Sequence, residues 1–312
     1  MNRTLEDATR QLKMMERRKK PKMLVVDDEP DNLDLLYRTF RRDFRVFKAD
    51  SGVDALEVLS REGEVAVIIS DQRMPEMKGT EFLSQTVPQF PDTVRIILTG
   101  FTDVEDLVDA INSGQVYKYI TKPWDPNELK TVVERAAETY DLLKQRTEEL
   151  EQAHSYTEAI ATFVEIGQNS GSVENCLEPL ATTAGKCFEA DGCVVQCVEE
   201  GAIAGSSGIY SNTDFSPVSL EGDPIAKAAI SSVDAQIWVN SGTTPPPEEA
   251  AEAYQGAGVQ IHLVFPAAFR GKLLAIVSLQ WQRTLPIDQN ELKLMHLCAQ
   301  QIGQTLAIAR SS

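Results

Sequence analysis

The stretch VAVIISDQRMP at residues 65–75 decides the fold of the first half of the chain. Its apolar residues run without interruption into Ser70 and Asp71, which is typical of a fully buried strand. Pro75 and Gly79 follow and indicate a loop before the next helix. The stretch therefore predicts a central strand that ends on a carboxylate.

Strands and helices alternate on both sides of this stretch. Further short strands are predicted at residues 23–26, 45–48, 95–98 and 117–120. Helical patterns lie between them, including an apolar stripe at residues 107–114. Five strands that alternate with helices predict an α/β fold with a doubly wound, five-stranded parallel sheet over residues 23–127.

Polar residues follow the predicted strands at the edge where ligands bind in such sheets. They are Asp27, Asp28, Asp71 and Thr99, with Lys122 two residues beyond the fifth strand. Three carboxylates in one crevice repel one another, and a hard divalent cation with oxygen ligands would neutralise them. The sequence therefore predicts a Mg²⁺ site that Asp27, Asp28 and Asp71 form.

This arrangement suits phosphoryl transfer. Asp71 is predicted to attack phosphorus and form an aspartyl phosphate. Mg²⁺ and the Lys122 ammonium would stabilise the charge on the phosphoryl oxygens, the Thr99 hydroxyl would donate a hydrogen bond to one of them, and Gly100 leaves room beside it. Singly, an acidic residue at a strand end or a Lys-Pro pair is often an ordinary loop residue. Their order on one alternating pattern favours the phosphoacceptor site.

Residues 23 to about 140 resemble the receiver domain of two-component response regulators. The motifs that carry the resemblance are VVDDEP at 25–30, SDQRMP at 70–75, LTG at 98–100 and YITKPW at 119–124. The resemblance implies that a sensor histidine kinase phosphorylates Asp71. It also implies that Mg²⁺ is held by Asp28, Asp71 and the backbone carbonyl of Arg73. Asp27 would assist through water.

The same resemblance implies a conformational response to phosphorylation. Thr99 and Tyr119 would form a coupled switch, in which the hydroxyl moves toward the phosphoryl group and the aromatic ring turns inward. The peptide bond between Lys122 and Pro123 is expected to be cis, which proline makes accessible. Phosphorylation is therefore expected to change the surface around the fifth strand.

Two helical segments flank this region. Residues 1–22 have apolar residues at helical spacing and predict an N-terminal helical extension. Residues 128–168 predict the last receiver helix and a coiled-coil linker, because apolar residues recur in two heptad rows that polar residues interrupt. The rows are Val133, Tyr140, Thr147, His154 and Ala161, then Ala136, Leu143, Leu150, Thr157 and Val164. The pattern favours a homodimer through this segment, and a solvated connector helix is the alternative.

Residues 169–312 predict a second, α+β domain. Strands are predicted at 193–198, 261–269 and 273–281, helices at 173–188 and 288–309, and a loop-rich middle between the first two strands. Residues from about 155 to 312 resemble a GAF domain, chiefly at Phe265-Pro266 and Gly271–Leu274. The resemblance implies a module that dimerises, binds a partner or binds a small ligand. Cys187-Phe188 superficially fits a bilin attachment motif, but it lies in the predicted first helix, upstream of the position of the chromophore cysteine. The motif of cyclic-nucleotide GAF domains is not found.

Charge and composition exclude several classes of protein. The formal net charge is -17, which disfavours nucleic acid and anionic membrane surfaces as partners. No apolar run approaches the roughly 20 residues of a membrane span, so we expect a cytoplasmic location. Five cysteines without a C-x-x-C pair predict buried thiols. No catalytic output motif is found.

These observations together predict a response regulator without enzymatic output of its own. It would accept a phosphoryl group on Asp71 and pass the change through the linker helix to the GAF-like domain and an unknown downstream protein. Two alternatives stay open. The chain could be the regulatory half of a longer enzyme, such as a cyclase or phosphatase, since it ends directly after a helix. It could also be a GAF small-ligand sensor that the receiver modulates.

Overall fold

The computed structural model describes residues 20–100, 116–212, 215–240, 245–285 and 287–310. The described residues divide into two compact units, with the boundary between Leu150 and Glu151. The predicted helical stripe at residues 107–114 lies outside the described residues, as do residues 1–19 of the predicted N-terminal extension.

The first unit contains a parallel sheet of five strands with the order β2-β1-β3-β4-β5. The strands are β1 (Lys22–Val26), β2 (Arg45–Ala49), β3 (Val67–Asp71), β4 (Val94–Thr99) and β5 (Lys118–Thr121). The helices are α1 (Pro30–Phe40), α2 (Gly52–Glu62), α3 (Gly79–Thr86) and the start of α4 (Pro126–Asn169). This is the flavodoxin-like order of a doubly wound sheet, so the fold predicted for this region is confirmed.

The central strands of this sheet are buried because helices cover both of its faces. Every residue of β3 and of β4 is buried, and successive residues point to opposite faces. Val67 and Ile69 join one apolar cluster, whereas Ile68 joins the other. Dense packing on both faces fixes the carboxyl ends of the strands in space.

Helix α4 is a continuous helix of 44 residues. Its first turn is capped by Asp125, whose Oδ1 accepts hydrogen bonds from the backbone N–H groups of residues 127 and 128. In the first unit Val133 is fully buried, and the Thr147 hydroxyl donates to Asp92 over 3.1 Å. In the second unit Phe163 is fully buried.

The two predicted heptad rows of α4 have different environments. Val133, Tyr140 and Thr147 of the first row contact the first unit itself, through its core or through Asp92. Leu143, Leu150 and Val164 of the second row are 41%, 72% and 47% exposed. The second row is therefore open to solvent only from Leu143 onward, since Ala136 is buried in the core of the first unit. His154 and Ala161 of the first row are exposed as well.

The second unit contains an antiparallel sheet of five strands with the order β7-β6-β10-β9-β8. The strands are β6 (Gly192–Glu199), β7 (Ala202–Ser211), β8 (Gln236–Val239), β9 (Ile261–Phe269) and β10 (Lys272–Trp281). The helices are α5 (Val173–Cys187), α6 (Pro224–Ser232), α7 (Ala251–Ala257) and α8 (Gln289–Ala309), with a short 3₁₀ turn at Glu248–Ala250. Within the described residues, no helix combines the length and the apolar character needed to cross a membrane.

The loop-rich middle predicted for the second unit was wrong, because β7, α6, β8 and α7 lie there. Strand β7 has the sequence AIAGSSGIYS and lacks an alternating apolar pattern. It forms an edge of the sheet through backbone pairing with β6, and that pairing needs no apolar face. At Gly208 a Cβ atom would clash with the backbone of Leu177, so close packing of α5 on this strand requires glycine.

Candidate phosphoacceptor site

A charged cluster lies at the carboxyl ends of β1, β3 and β5. The Lys122 ammonium is 2.9 Å from Asp27 Oδ2, although the two residues are 95 positions apart, and it also pairs with Asp71 Oδ1. The Asp27 and Asp71 side chains are 0% and 8% exposed, whereas that of Lys122 is 27% exposed. One partly accessible cation therefore bridges two almost inaccessible carboxylates.

Asp27 is held by partners besides the ammonium. Its Oδ1 accepts the backbone N–H of Glu29 over 3.0 Å and the Asn32 side-chain amide over 3.1 Å. The predicted site did not include Asn32. An amide in the first turn of α1, four residues after Asp28, was the available signal. These bonds keep the Asp27 carboxylate in one orientation.

Asp71 is oriented by the loop that follows it. Its Oδ2 accepts the backbone N–H of Arg73 over 2.7 Å, which leaves Oδ1 facing Lys122. A Cβ atom at Gly79 would clash with the Asp71 carbonyl oxygen, so α3 can begin against this strand end only with glycine. The two Asp71 oxygens thus have different environments.

Burial and charge perturb both ends of the Asp71–Lys122 pair. Burial raises the pKa of Asp71, and the nearby Asp27 charge raises it further, against the opposing effect of Lys122. Burial lowers the pKa of Lys122, but its hydrogen bonds to Asp71 and Asp27 outweigh burial and leave that pKa raised. A single ammonium does not balance two carboxylates, so the cluster carries an excess of negative charge.

The other predicted site residues lie at or near the ends of strands of the same sheet. Asp28 is exposed at the end of β1. Thr99 is buried at the end of β4, where its hydroxyl donates to the Gly100 carbonyl over 3.1 Å. Tyr119 is half-buried in β5 and packs against the apolar cluster under α2 and α3. The backbone N–H of Lys122 donates to the Thr99 carbonyl over 2.7 Å and ties the two strand ends together.

The segment after β5 presents Lys122 to the crevice. The Lys122–Pro123 peptide bond is cis. The Lys122 ammonium lies 5.8 Å from the centroid of the Trp124 ring, within the range of a cation–π interaction. Trp124 was no part of the predicted site, and its place directly after the Lys-Pro pair is the signal that marks it.

The oxygen atoms of this crevice suit Mg²⁺. Within the ranges the structure describes, no three side chains of His, Cys, Asp or Glu are arranged as a metal cage. Mg²⁺ does not need such a cage, because it uses one or two carboxylates and keeps several waters. Asp71, Asp28, the Arg73 carbonyl and Asp27 offer only oxygen ligands, and the excess negative charge favours a cation.

Comparisons with known proteins assign the region that contains this crevice. Residues 23–134 match the model of the response regulator receiver domain. The chain is 32% identical over 117 residues to a chemotaxis protein CheY homolog of Campylobacter jejuni, and the match covers 36% of this chain and 89% of that protein. The chain belongs to the family of response regulators with a receiver domain, which confirms the resemblance of this region.

Two further matches lie in the same part of the chain. The hydrogenase transcriptional regulatory protein HoxA of Cupriavidus necator is 42% identical over 124 residues, which are 40% of this chain and 26% of that protein. This chain thus spans about a quarter of the length of that relative. A crystal structure described as adenylate cyclase from Rhodopirellula baltica is 32% identical with a TM-score of 0.42, and the match covers 43% of this chain and 98% of that one.

Proposed function

We propose that this response regulator accepts a phosphoryl group on Asp71 from a sensor histidine kinase. The observation that carries the proposal is the contact of the Lys122 ammonium with both Asp27 and Asp71 at the carboxyl edge of the receiver sheet. A nucleophilic carboxylate, a fixed cation and a second carboxylate together are the groups that phosphoryl transfer to an aspartate needs.

In the proposed reaction, Asp71 Oδ1 forms the new bond to phosphorus. The bond between phosphorus and the donor's leaving group breaks, and the leaving group takes the bonding electron pair. Asp71 Oδ2 stays on the Arg73 N–H, which holds the carboxylate in line. Lys122 remains beside the phosphoryl oxygens and stabilises their charge. The Thr99 hydroxyl turns from the Gly100 carbonyl to donate to a phosphoryl oxygen.

Mg²⁺, when bound, supplies further neutralisation of the phosphoryl oxygens. The residues proposed to hold it are Asp28, Asp71 and the Arg73 backbone carbonyl, and Asp27 assists through water. Asp27 also anchors Lys122, so that the two aspartates and the lysine keep their spacing before the phosphoryl group arrives. The carboxyl ends of β1 and β3 then hold both the proposed metal ligands and the proposed phosphoacceptor in place.

The phosphoryl signal is proposed to leave the receiver through Tyr119 and helix α4. The helix supports this path because one uninterrupted element contains both Val133 in the core of the first unit and Phe163 in the core of the second. The exposed row with Leu143, Leu150 and Val164 is proposed to pair with the same row of a second chain. The second unit would act as a GAF-like dimerisation or partner-binding module, and the output would be a contact with another protein rather than catalysis.

The test is phosphorylation of the full chain by acetyl phosphate with Mg²⁺. Wild type and Asp50→Asn, which changes an exposed carboxylate ahead of α2, should be labelled. Asp71→Asn should not be labelled, because an amide oxygen does not displace the leaving group. Equal labelling of Asp71→Asn would contradict the proposal. Molar mass measured with and without acetyl phosphate tests the dimer separately.

A further inference from the structure

Helix α3 begins beside the phosphoacceptor and obtains its cap from another element. The residue before the helix is Lys78, and a lysine side chain cannot accept a hydrogen bond from the first-turn N–H groups. Gln72 provides the acceptors instead. Its backbone carbonyl accepts the Gly79 N–H over 3.1 Å, and its side-chain Oε1 accepts the Thr80 N–H over 3.1 Å.

Gln72 is the residue directly after Asp71, and both the oxygen and the nitrogen of its side-chain amide form hydrogen bonds. It is 3% exposed, and its Nε2 donates to the Thr80 hydroxyl over 3.3 Å. Its backbone N–H donates to the Leu98 carbonyl over 2.9 Å and continues the pairing of β3 with β4. A single buried glutamine therefore joins two strands of the sheet to the N-terminus of α3.

These contacts close the loop at residues 73–78. The loop begins at Arg73, whose N–H holds Asp71 Oδ2 over 2.7 Å. It returns at Gly79, which packs so close to the Asp71 carbonyl that a Cβ atom would clash with it. The loop that carries the Arg73 carbonyl is thus attached to Gln72 at both ends, by the peptide bond to Arg73 and by the hydrogen bond from Gly79.

We propose that Gln72 and Thr80 form a positioning pair that aims the Arg73 carbonyl and the Asp71 carboxylate at the metal and phosphoryl positions. This inference rests on the proposed phosphoacceptor function. Groups that orient a metal ligand through hydrogen bonds typically change metal affinity by about 10- to 100-fold when they are removed. The pair contacts neither metal nor phosphorus and acts through the loop.

The experiment measures the Mg²⁺ dissociation constant of the full chain. The probe is the fluorescence of Trp124, whose ring lies 5.8 Å from the Lys122 ammonium. Gln72→Leu removes all side-chain bonds of the pair and should raise the dissociation constant about 10- to 100-fold. Thr80→Val removes only the hydroxyl and should have a smaller effect in the same direction. Thr80→Ser keeps the hydroxyl and should restore wild-type affinity.

Gln89→Leu is the matched control, because it makes the same chemical change at an exposed position of the same unit. A second readout is labelling by acetyl phosphate, which saturating Mg²⁺ should restore in Gln72→Leu. If Gln72→Leu lowers the stability of the first unit but leaves the Mg²⁺ dissociation constant unchanged, Gln72 acts only as a helix cap. That result would overturn the inference. If Gln72→Leu does not fold, the Mg²⁺ dissociation constants of Thr80→Val and Thr80→Ser are compared instead. Equal constants in these two variants would overturn the inference.

Failure of the proposed function has a different signature. In that case wild type itself shows no Mg²⁺ response at Trp124 and no label on Asp71. An altered affinity confined to Gln72→Leu and Thr80→Val, with wild type responsive, supports the pair. A responsive wild type with all four variants unchanged rejects the pair and leaves the phosphoacceptor function standing.

Discussion

The receiver crevice and the core of the second unit each hold a buried aspartate, but the partners of the two aspartates differ in charge. Each contains an aspartate that is almost inaccessible, with Asp71 6% and Asp223 3% exposed. Asp71 is paired with a partly exposed ammonium and a second carboxylate lies beside it. Asp223 is satisfied by neutral donors, the Ala226 N–H and the Tyr254 hydroxyl, each over 2.8 Å.

The Tyr254 hydroxyl is the last donor in a buried chain of hydrogen bonds that ends at Asp223. The Tyr254 hydroxyl gives its only proton to Asp223, so the His262 Nδ1, 2.6 Å away, must carry a proton and donate to the hydroxyl oxygen. His262 Nε2 then accepts from the Ser278 hydroxyl over 2.8 Å, and Ser278 in turn accepts from Gln280 over 3.0 Å. Every donor in the chain points toward the carboxylate.

The two aspartates therefore differ in the charge and in the accessibility of their partners. In the second unit all partners are neutral and buried, so they stabilise one arrangement of α6, α7, β9 and β10. In the crevice the excess negative charge lies beside a partly exposed lysine, as the proposed binding of a cation and a phosphoryl group requires. Buried polar groups with neutral partners favour one rigid arrangement, whereas unbalanced and accessible charge is what the proposed ligand site needs.

The largest effect is expected at the Lys122 ammonium, which contacts both carboxylates of the crevice. Lys122→Met should lower the rate of Asp71 labelling by about 100- to 1000-fold, because one fixed donor to the developing charge is lost. Lys130→Met, at a half-exposed lysine of α4 that pairs with Asp43, should label like wild type. The rate of acetyl phosphate labelling measures both. An unchanged rate in Lys122→Met would show that the ammonium does not stabilise the transferred group.

The second unit should instead respond to acid. Burial lowers the pKa of His262 from 6.5 to about 4, although the Asp223 charge opposes this. The unfolded chain therefore binds a proton below pH 6.5 that the folded unit does not bind until about pH 4. Between these values the unfolding free energy should fall by about 3 kcal/mol as the pH falls.

Denaturant unfolding in a Trp124→Phe background measures this effect, because fluorescence then reports on Trp238 and Trp281 of the second unit. His262→Gln should flatten the fall relative to the matched, exposed control His154→Gln. A fall of the same size in both variants would assign the acid sensitivity to other groups.

Removal of one hydroxyl from the buried network should have the next largest effect. Tyr254→Phe leaves Asp223 and His262 without their shared partner and should lower the unfolding free energy of the second unit by about 2 kcal/mol. Tyr210→Phe, at a partly exposed position of β7, is the control. Labelling of Asp71 should not change in either variant. A loss of label would show that the network around Asp223 and the phosphoacceptor crevice depend on each other.

The smallest effect is expected at a helix cap of the first unit. Ser51 accepts the Asp54 N–H over 3.2 Å, so Ser51→Ala should cost about 1 kcal/mol. Amide hydrogen exchange of β1 and β3 measures the first unit by itself, and Ser60→Ala on the exposed face of α2 is the control. A cost as large as that in the buried network would mean that capping and buried polar contacts stabilise this chain equally.

The order of strands in the first unit could be predicted because apolar runs, turn residues and helical stripes repeat along the chain. Parallel strands end at one edge, so the proximity of Asp27, Asp71 and Lys122 followed from that order. Asn32 and Gln72 were missed because their importance lies in hydrogen bonds to particular atoms, and no sequence periodicity encodes such bonds. In the second unit, edge strand β7 was missed because its glycines and serines pair through the backbone.

Local sequence alone thus determined the doubly wound sheet and the set of polar residues at its carboxyl edge, since both depend on periodicity and chain order. Only the tertiary structure decided which residues touch. It placed one ammonium between Asp27 and Asp71, used Gln72 to cap α3, and enclosed His262 among neutral partners. The physical reason is that burial and hydrogen-bond geometry depend on distances between elements far apart in the chain, and packing sets those distances.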